Sequence, residues 1–446
     1  MTLAEENRAI DWNALIDDVV AGRWADPETG KVAHIPCGTI VLAESLDGGE
    51  ADCVAPLGLG DAVHVVCDEN TYDAMGARVV RALKTGDRLT VLPGRFTVNE
   101  SRVADLKAGT SAASALVAVG SGSVSDICKY VAHLDGKPAV AFGTAASMNG
   151  YSAGTASVTL TSGLKASLPA TAPRGLFLDL SVSAAAPSWL SAAGLGDSLC
   201  RSTSQVDWWA SHRLFGTAYS NVPYLLQEKD EAAMIAHAPA LKHGDIAAVG
   251  YLHRVMTLCG FGVCFAGSSH PGSMGEHLVS HWIDMFAGDR HPGTTHGQQV
   301  GVASIAMARL QQEILALEKP PVVRPVPVPA DDLVARYGDE LGRLCADEMQ
   351  RKAMDEKQAN DFNARLDAIW PDLRRELSAF VMPADEMAAV LASAGGPVTA
   401  SELGLDADLW ADALRHSREI RGRWSFLDLA AEAGILEDFI AREAAR

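Results

Sequence analysis

Residues 116–126 read LVAVGSGSVSD. The four apolar residues from Leu116 to Val119 suit a short buried strand, and Gly120 ends the run. The small residues Gly120-Ser121-Gly122-Ser123 then make a tight turn. From Val124 to about His133 the apolar spacing becomes helical. A strand that passes through a glycine turn into a helix opens a strand–helix–strand unit. The same alternation extends on both sides. Upstream, Ala62 to Cys67 reads as a buried strand, Tyr72 to Leu83 as the helix after it, and Leu89 to Leu92 as the next strand. Downstream, Pro138 to Phe142 reads as a strand and Leu176 to Leu178 as the last one. Between them, Val158 to Leu160 and Gly163 to Leu168 read as a hairpin joined through Thr161-Ser162. This pattern predicts an α/β domain with a largely parallel sheet covered by helices over residues 1–186.

Beyond about residue 186 the apolar spacing is three and four residues, as in Val300 to Leu317 and Met382 to Ala392. A mostly α-helical domain is therefore expected over 187–446. Residues 318–329, EKPPVVRPVPVP, are predicted to be an extended connector, because proline removes backbone donors and blocks the preceding turn. No internal repeat is visible.

Bulk composition narrows the function. The chain has 446 residues, enough for two packed units, and its mean hydropathy is close to zero. Thirty-seven basic against fifty-six acidic residues give a net charge of -19, which repels polyphosphate backbones and excludes nucleic acid as the expected partner. One phosphate is still within reach of a few local cations or a helix N-terminus. The start, MTLAEENRAIDWNALIDD, has neither the basic nor the apolar region of a signal peptide. No run approaches the roughly 18 apolar residues of a membrane span, so no membrane insertion is expected. The eight cysteines are scattered without a CxxC pair, which reads as free thiols in a reducing cytoplasm, not as a disulfide framework or zinc ribbon.

Two glycine turns point to a nucleotide. In Gly120 to Asp126, small residues let backbone N–H groups approach a pyrophosphate, and the helix N-terminus favours its charge; a plain strand-to-helix turn has the same appearance. Gly143-Thr144-Ala145-Ala146-Ser147 follows its strand in the same way. Asp68 ends the strand in HVVCD. A carboxylate there accepts from a ribose 2′-hydroxyl and repels a 2′-phosphate, favouring NAD over NADP, although an ordinary strand-end aspartate looks alike.

A second group points to a metal. In GSMGEHLVSHWIDM (272–285), His277 and His281 are four apart and share one helix face. His296 heads the helical segment HGQQVGVASIAMARL. Asp197 lies in Gly194-Leu195-Gly196-Asp197-Ser198-Leu199, where the glycines predict a turn running into a helix. Two imidazoles and a carboxylate with an open position suit a catalytic metal; hydrogen-bonded core histidines are the alternative. Trp208, Trp209 and Trp282 read as core.

Taken in order, DENTY (68–72), the glycine turn ending in Asp126, TAASMNGYS (144–152), GLGDSL (194–199), SSHPGSMGEHLVSH (268–281), HGQQVGV (296–302) and IRGRWSFLDLA (420–430) resemble the sn-glycerol-1-phosphate dehydrogenases, especially their bacterial branch. These belong to the superfamily of glycerol dehydrogenase, iron-containing alcohol dehydrogenase and dehydroquinate synthase. The resemblance runs from about residue 55 to the C-terminus. It implies a dehydroquinate synthase-like fold, with an N-terminal Rossmann-like α/β domain, a C-terminal helical domain and the active site in the cleft between them, NAD or NADP as cofactor, one divalent metal (zinc, nickel or iron), and a homodimer. The implied reaction is reduction of dihydroxyacetone phosphate to sn-glycerol 1-phosphate, and the reverse. By motif, Asp197, His277 and His296 correspond to the metal ligands, and His281 to a substrate-contacting histidine. The segments Gly120 to Ser125 and Thr144 to Ser147 correspond to cofactor-binding ones. The metal is expected to act as a Lewis acid, and His281 either to orient substrate and relay a proton or to hold its helix and a water.

The chain departs from the family pattern at several points. Asn149 stands where the family has a substrate-binding aspartate, and Ala153 where it has serine, with Ser152 one place early. Ser121 replaces a glycine, His270 an arginine and Met274 a glycine. An amide at 149 still hydrogen-bonds a hydroxyl but brings no charge. Dehydrogenation of another polyol or polyol phosphate is therefore the second reading. A dehydroquinate synthase-like cyclase would need a lysine-rich phosphate pocket, and a binding-only relative a broken metal triad.

Overall fold

The computed structural model describes residues 10–32 and 34–446, and the apolar runs emerge in it as strands. These are β1 (Thr39–Ala43), β2 (Val63–Asp68), β3 (Leu89–Leu92), β4 (Ala115–Gly120), β5 (Ala139–Gly143), β6 (Thr155–Thr159), β7 (Lys165–Pro169) and β8 (Gly175–Asp179). Six of them form a parallel sheet in the order β1-β8-β5-β4-β2-β3, while β6 and β7 pair as an antiparallel hairpin. Every residue of β4, β5 and β8 is buried. A parallel sheet covered on both faces explains why these strands read as continuous apolar runs. Side chains alternate along β4. Leu116 and Ala118 join Val124, Ile127 and Val131 of helix α1 (Gly122–Asp135), while Val117 and Val119 join Phe142 and Phe177 on the other face.

Register places the site. The β4–β5 ladder sets Gly120 opposite Gly143, so the two glycine turns leave the sheet side by side. On the other flank of β4, Cys67 of β2 lies opposite Val119, which leaves Asp68 at the same carboxyl edge. Open α/β sheets bind ligands at this edge.

After Pro187 the described chain is helical or irregular. The elements that bear on the site are α2 (Ser188–Phe215), α3 (Val222–Leu241), α4 (Ile246–Ala266), α5 (Gly275–Phe286), α6 (His296–Leu315) and, near the end, α7 (Phe426–Glu432). Residues 317–329 contain no helix, as the prolines require. Asn363 satisfies the connector's backbone, accepting from Val323 N and donating to its carbonyl, both at 2.9 Å. An apolar cluster joins sheet to helices through Ala141, Leu176 and Leu178 on one side and Leu195, Leu199 and Leu252 on the other.

Four expectations need correction. β1 was not anticipated; it pairs with β8 at the sheet edge, Thr39 opposite Gly175, a partner distant in sequence. The hairpin turn is longer than Thr161-Ser162 and closes with Leu160 N donating to the Leu164 carbonyl at 2.9 Å. One helix, α4, is long and apolar enough by composition to cross a membrane, but most of it is buried among Trp12, Ile16 and the α3 side chains. Finally, Gly194 and Gly196 make no turn: α2 runs uninterrupted through Asp197. These glycines serve close approach. A Cβ on Gly194 would collide with the Ala146 carbonyl, and one on Gly196 would come within 2.5 Å of the Gly297 carbonyl and 3.1 Å of Gly301 Cα. Small residues therefore press α2 against both the β5 turn and α6.

Candidate active site

That close crossing brings three sequence-distant donors together. Asp197 comes from α2, His277 from the first turn of α5, and His296 is the first residue of α6. A capping box between Thr295 and Gln298 starts α6 there and fixes the backbone of His296. One ligand atom from each of the three side chains lies within 4.8 Å of the others. Asp197 Oδ1 is 3.4 Å from His277 Nε2 and 3.9 Å from His296 Nε2, and it is buried without a hydrogen-bond partner.

Each donor is held from behind. Asp197 Oδ2 accepts from Asn149 N at 3.0 Å. Glu276 Oε1 lies 3.0 Å from His277 Nδ1, and Ser280 Oγ lies 2.8 Å from His296 Nδ1. Ser280 donates on to Gln299 Oε1 at 2.7 Å, and Gln299 Nε2 donates to Asp284 Oδ1 at 3.1 Å. Asp284 in turn pairs with Lys165 of β7. Both imidazoles thus present Nε2 to the same carboxylate oxygen, while carboxylate or hydroxyl groups occupy Nδ1. This donor set fits a divalent cation, and the residues behind it are those that orient metal ligands.

The electrostatics agree. Burial disfavours a charged His277, but the Asp197 and Glu276 carboxylates that its two ring nitrogens face outweigh it and raise the ring to about 9. Burial and the charge on His277 hold His296 down to about 4. Burial also raises Asp197, yet the two histidines outweigh it and keep the carboxyl below its ordinary range.

His281 follows one turn after His277, its ring 6.1 Å from His277 and 5.4 Å from His296. Its donor atoms are not part of the three-residue cluster. Burial, with His296 and Arg421 nearby, pushes it well below the ordinary histidine range, and its Nδ1 is buried without a partner. The ring is therefore neutral beside the donors.

The two glycine turns sit alongside each other, Thr144 N donating to the Gly120 carbonyl at 3.2 Å. Tyr151 Oη donates beneath them to the Ala145 carbonyl at 3.0 Å. Ser121 is the N-cap of α1 and makes no side-chain cap, so the first N–H groups of Gly122 and Ser123 have no capping side chain. Thr144 and Ala145 are buried, Ser147 is half-buried and Ser123 exposed. Asp68 Oδ1 caps its own short helix, accepting from Asn70 N at 2.9 Å and Thr71 N at 2.8 Å. Asp126 faces away from the turn, with Oδ2 on Ser157 N at 3.0 Å and Oδ1 on Lys129 Nζ at 2.9 Å. Buried Lys129 also donates to the carbonyls of Gly150 and Thr155, at 2.8 and 2.7 Å. The pair pins the segment that carries Asn149.

Comparison with known proteins decides the family. Residues 41–187 match the iron-containing alcohol dehydrogenase family. Glycerol-1-phosphate dehydrogenase [NAD(P)+] of Methanosarcina mazei is 30% identical over 312 residues, covering 70% of this chain and 81% of that protein. The enzyme of the same name from Bacillus velezensis is 29% identical over 389 residues, 83% of this chain and 86% of that one. The chain belongs to the glycerol-1-phosphate dehydrogenase family. A probable glycerol dehydrogenase from Sinorhizobium meliloti shares the fold, with a TM-score of 0.60 at 16% identity over 91% of this chain and 98% of that one.

Within this family's pattern the divergent positions have definite places. Asn149 holds Asp197 through its backbone N–H, so that contact does not depend on the residue type. His270 sits against Trp208, ring centroids 5.8 Å apart, with Nδ1 2.8 Å from Ser268 Oγ. Trp208 and Trp282 are buried, as expected for core. Sequence reasoning missed Ser280, Gln299, Asp284 and Lys165. Ser280, three residues after His277 on one helix, was the one readable signal among them.

Proposed function

We propose that this protein is a metal-dependent, NAD(P)-linked dehydrogenase that interconverts dihydroxyacetone phosphate and sn-glycerol 1-phosphate. The convergence of Asp197, His277 and His296, beside two glycine turns at the sheet's carboxyl edge, carries this reading. Asp197, His277 and His296 would hold a divalent ion, which when bound would supply Lewis-acid stabilisation of the charge that develops on the substrate oxygen. The chain supplies the geometry. The Gly120–Ser123 and Thr144–Ser147 turns hold the dinucleotide's pyrophosphate with backbone N–H groups. Asp68, its Oδ1 engaged in the cap, offers Oδ2 to a ribose hydroxyl, which favours NAD. Neutral His281 orients the substrate hydroxyl and passes its proton toward solvent. Asn149 offers its amide to a polyol hydroxyl. A cytoplasmic homodimer is the setting we assign, and the eight free cysteines suit a reducing compartment.

The test is direct. Protein loaded in turn with zinc, nickel and iron(II) is assayed by NADH absorbance against dihydroxyacetone phosphate, dihydroxyacetone and longer ketoses. Metal-dependent turnover of dihydroxyacetone phosphate is expected. Turnover of an unphosphorylated ketose alone favours the polyol reading, for which the neutral Asn149 is the motive. No turnover of any of them contradicts both.

A further inference from the structure

One buried carboxylate ties together the three helices that carry Asp197, His277 and His296. Asp207 lies on α2, ten residues after Asp197, and its side chain is fully buried. Its Oδ2 accepts at 3.2 Å from the N–H of Gly275, the first residue of α5 and two before His277. Its Oδ1 accepts at 3.1 Å from Gln311 Nε2 on α6, the helix that His296 begins. The same Oδ1 accepts at 3.0 Å from the N–H of Phe426, the first residue of α7. The junction is tight. A Cβ on Gly275 would come within 3.0 Å of Asp207 Oδ2 and 2.7 Å of the Met307 side chain, so glycine is what lets α5 start this close.

The start of α5 lacks an ordinary cap. Met274, the residue before it, makes no side-chain cap, and the first N–H groups of a helix have no partner within the helix. Asp207 takes the Gly275 N–H from across the fold and does the same for α7 at Phe426. Gln311 Nε2 also donates to the Thr203 carbonyl at 3.0 Å, and Thr203 Oγ1 donates to Glu276 Oε2 at 3.2 Å. The network therefore ends on the carboxylate that faces His277 Nδ1. Among the described residues, no Lys, Arg or His nitrogen lies within 4.0 Å of the Asp207 carboxylate. Burial and the neighbouring Glu276 push its carboxyl well above the ordinary range, and the three donors oppose that rise. A buried acid without a cation is costly, and here two helix N-termini stand where a cation would.

We propose that Asp207 is a positioning residue for the Asp197–His277–His296 cluster: joining α2, α5 and α6 at one side chain, it sets the two imidazoles against Asp197. It acts through Gly275 and Gln311 and contributes no ligand atom to the cluster. The inference rests on the reading that these three residues hold a divalent ion, and adds the residue that fixes their spacing. Ligand geometry sets metal affinity, so freeing one of the three helices weakens binding although every donor is still present.

Asp207→Ala removes both acceptor oxygens; Asp207→Asn keeps the shape but sets an amide N–H against one of the donors. Cobalt(II) is the probe. Its affinity is measured by chelator competition, its coordination by the visible absorption of the bound ion, and the opening of residues 274–281 by amide hydrogen exchange. NADH binding reports folding. Asp207→Ala is expected to weaken cobalt binding at least about tenfold, change the spectrum and speed exchange over 274–281, with Asp207→Asn in between. A merely stabilising contact would lower the melting temperature and leave the cobalt spectrum alone. If both variants keep the parent's cobalt affinity and spectrum, Asp207 is overturned as a positioning residue while the metal reading stands. If the parent binds no cobalt, the metal reading fails by itself, and exchange then decides whether Asp207 sets α5: faster exchange supports it and unchanged exchange overturns it. Should Asp207→Ala lose NADH binding, Asp207→Asn decides in its place.

Discussion

Asp197 and its two imidazoles are held by neighbours that lie outside the three-residue cluster. Glu276, fully buried, accepts from Met274 N at 2.7 Å and lies 3.0 Å from His277 Nδ1, so it sets both the ring's tautomer and the entry to α5. Glu276→Gln keeps the shape and removes the charge. Metal affinity, measured by competition with a chelator, should fall about 10- to 100-fold, with NADH binding little changed. A different histidine carries a pH dependence. His253 is buried, with Nε2 2.9 Å from Ser183 Oγ, and burial lowers it to about 3. Above about pH 6.5 the ring is neutral folded and unfolded, and stability is not affected. As pH falls below that, the unfolded chain gains a proton that the folded one refuses, so stability drops progressively toward pH 3. Denaturant unfolding at pH 7 and pH 4.5 should show the parent losing about 2 kcal/mol more than His253→Gln.

Helix α2 shows what local signals can and cannot reveal. Two glycines beside an aspartate suggest a turn, yet they lie mid-helix because α6 and the β5 turn press against them. Glycine's local weakness and its value at a close crossing look identical in sequence. A Cβ on Gly297 would collide with the Ala193 carbonyl across the same crossing. Gly297→Ala should cost about 2–3 kcal/mol by denaturant unfolding and weaken metal binding by displacing the next-door His296. The central strands were legible because burial on both faces makes them unbroken apolar runs. β1 was not, since TIVLA is a short apolar run whose place in the sheet is set only by its pairing with the distant β8. Lys165 of the β6–β7 hairpin reaches α5 through Asp284, and from there hydrogen bonds run through Gln299 and Ser280 to His296. Lys165→Met should therefore lower metal affinity by about tenfold, measured by chelator competition, although the side chain lies outside the donor set.

Across the whole molecule, the candidate site depends on bringing sequence-distant segments together at the carboxyl edge of the sheet. The ordered motifs made the Asp197–His277–His296 cluster and the adjoining glycine turns readable. The α/β and helical parts meet at the site through Lys165–Asp284, through Arg95 donating to the Gly293 carbonyl, and through Asn149 N on Asp197. The central claim is that Asp197, His277 and His296 hold one catalytic cation. The most direct measurement is metal content after dialysis for the parent and for Asp197→Ala, His277→Ala and His296→Ala, with NADH-dependent reduction followed in parallel. About one divalent ion per chain is expected in the parent, with both ion and turnover lost in each variant. Retention of the ion in all three variants, or turnover that survives complete chelation, would contradict the account.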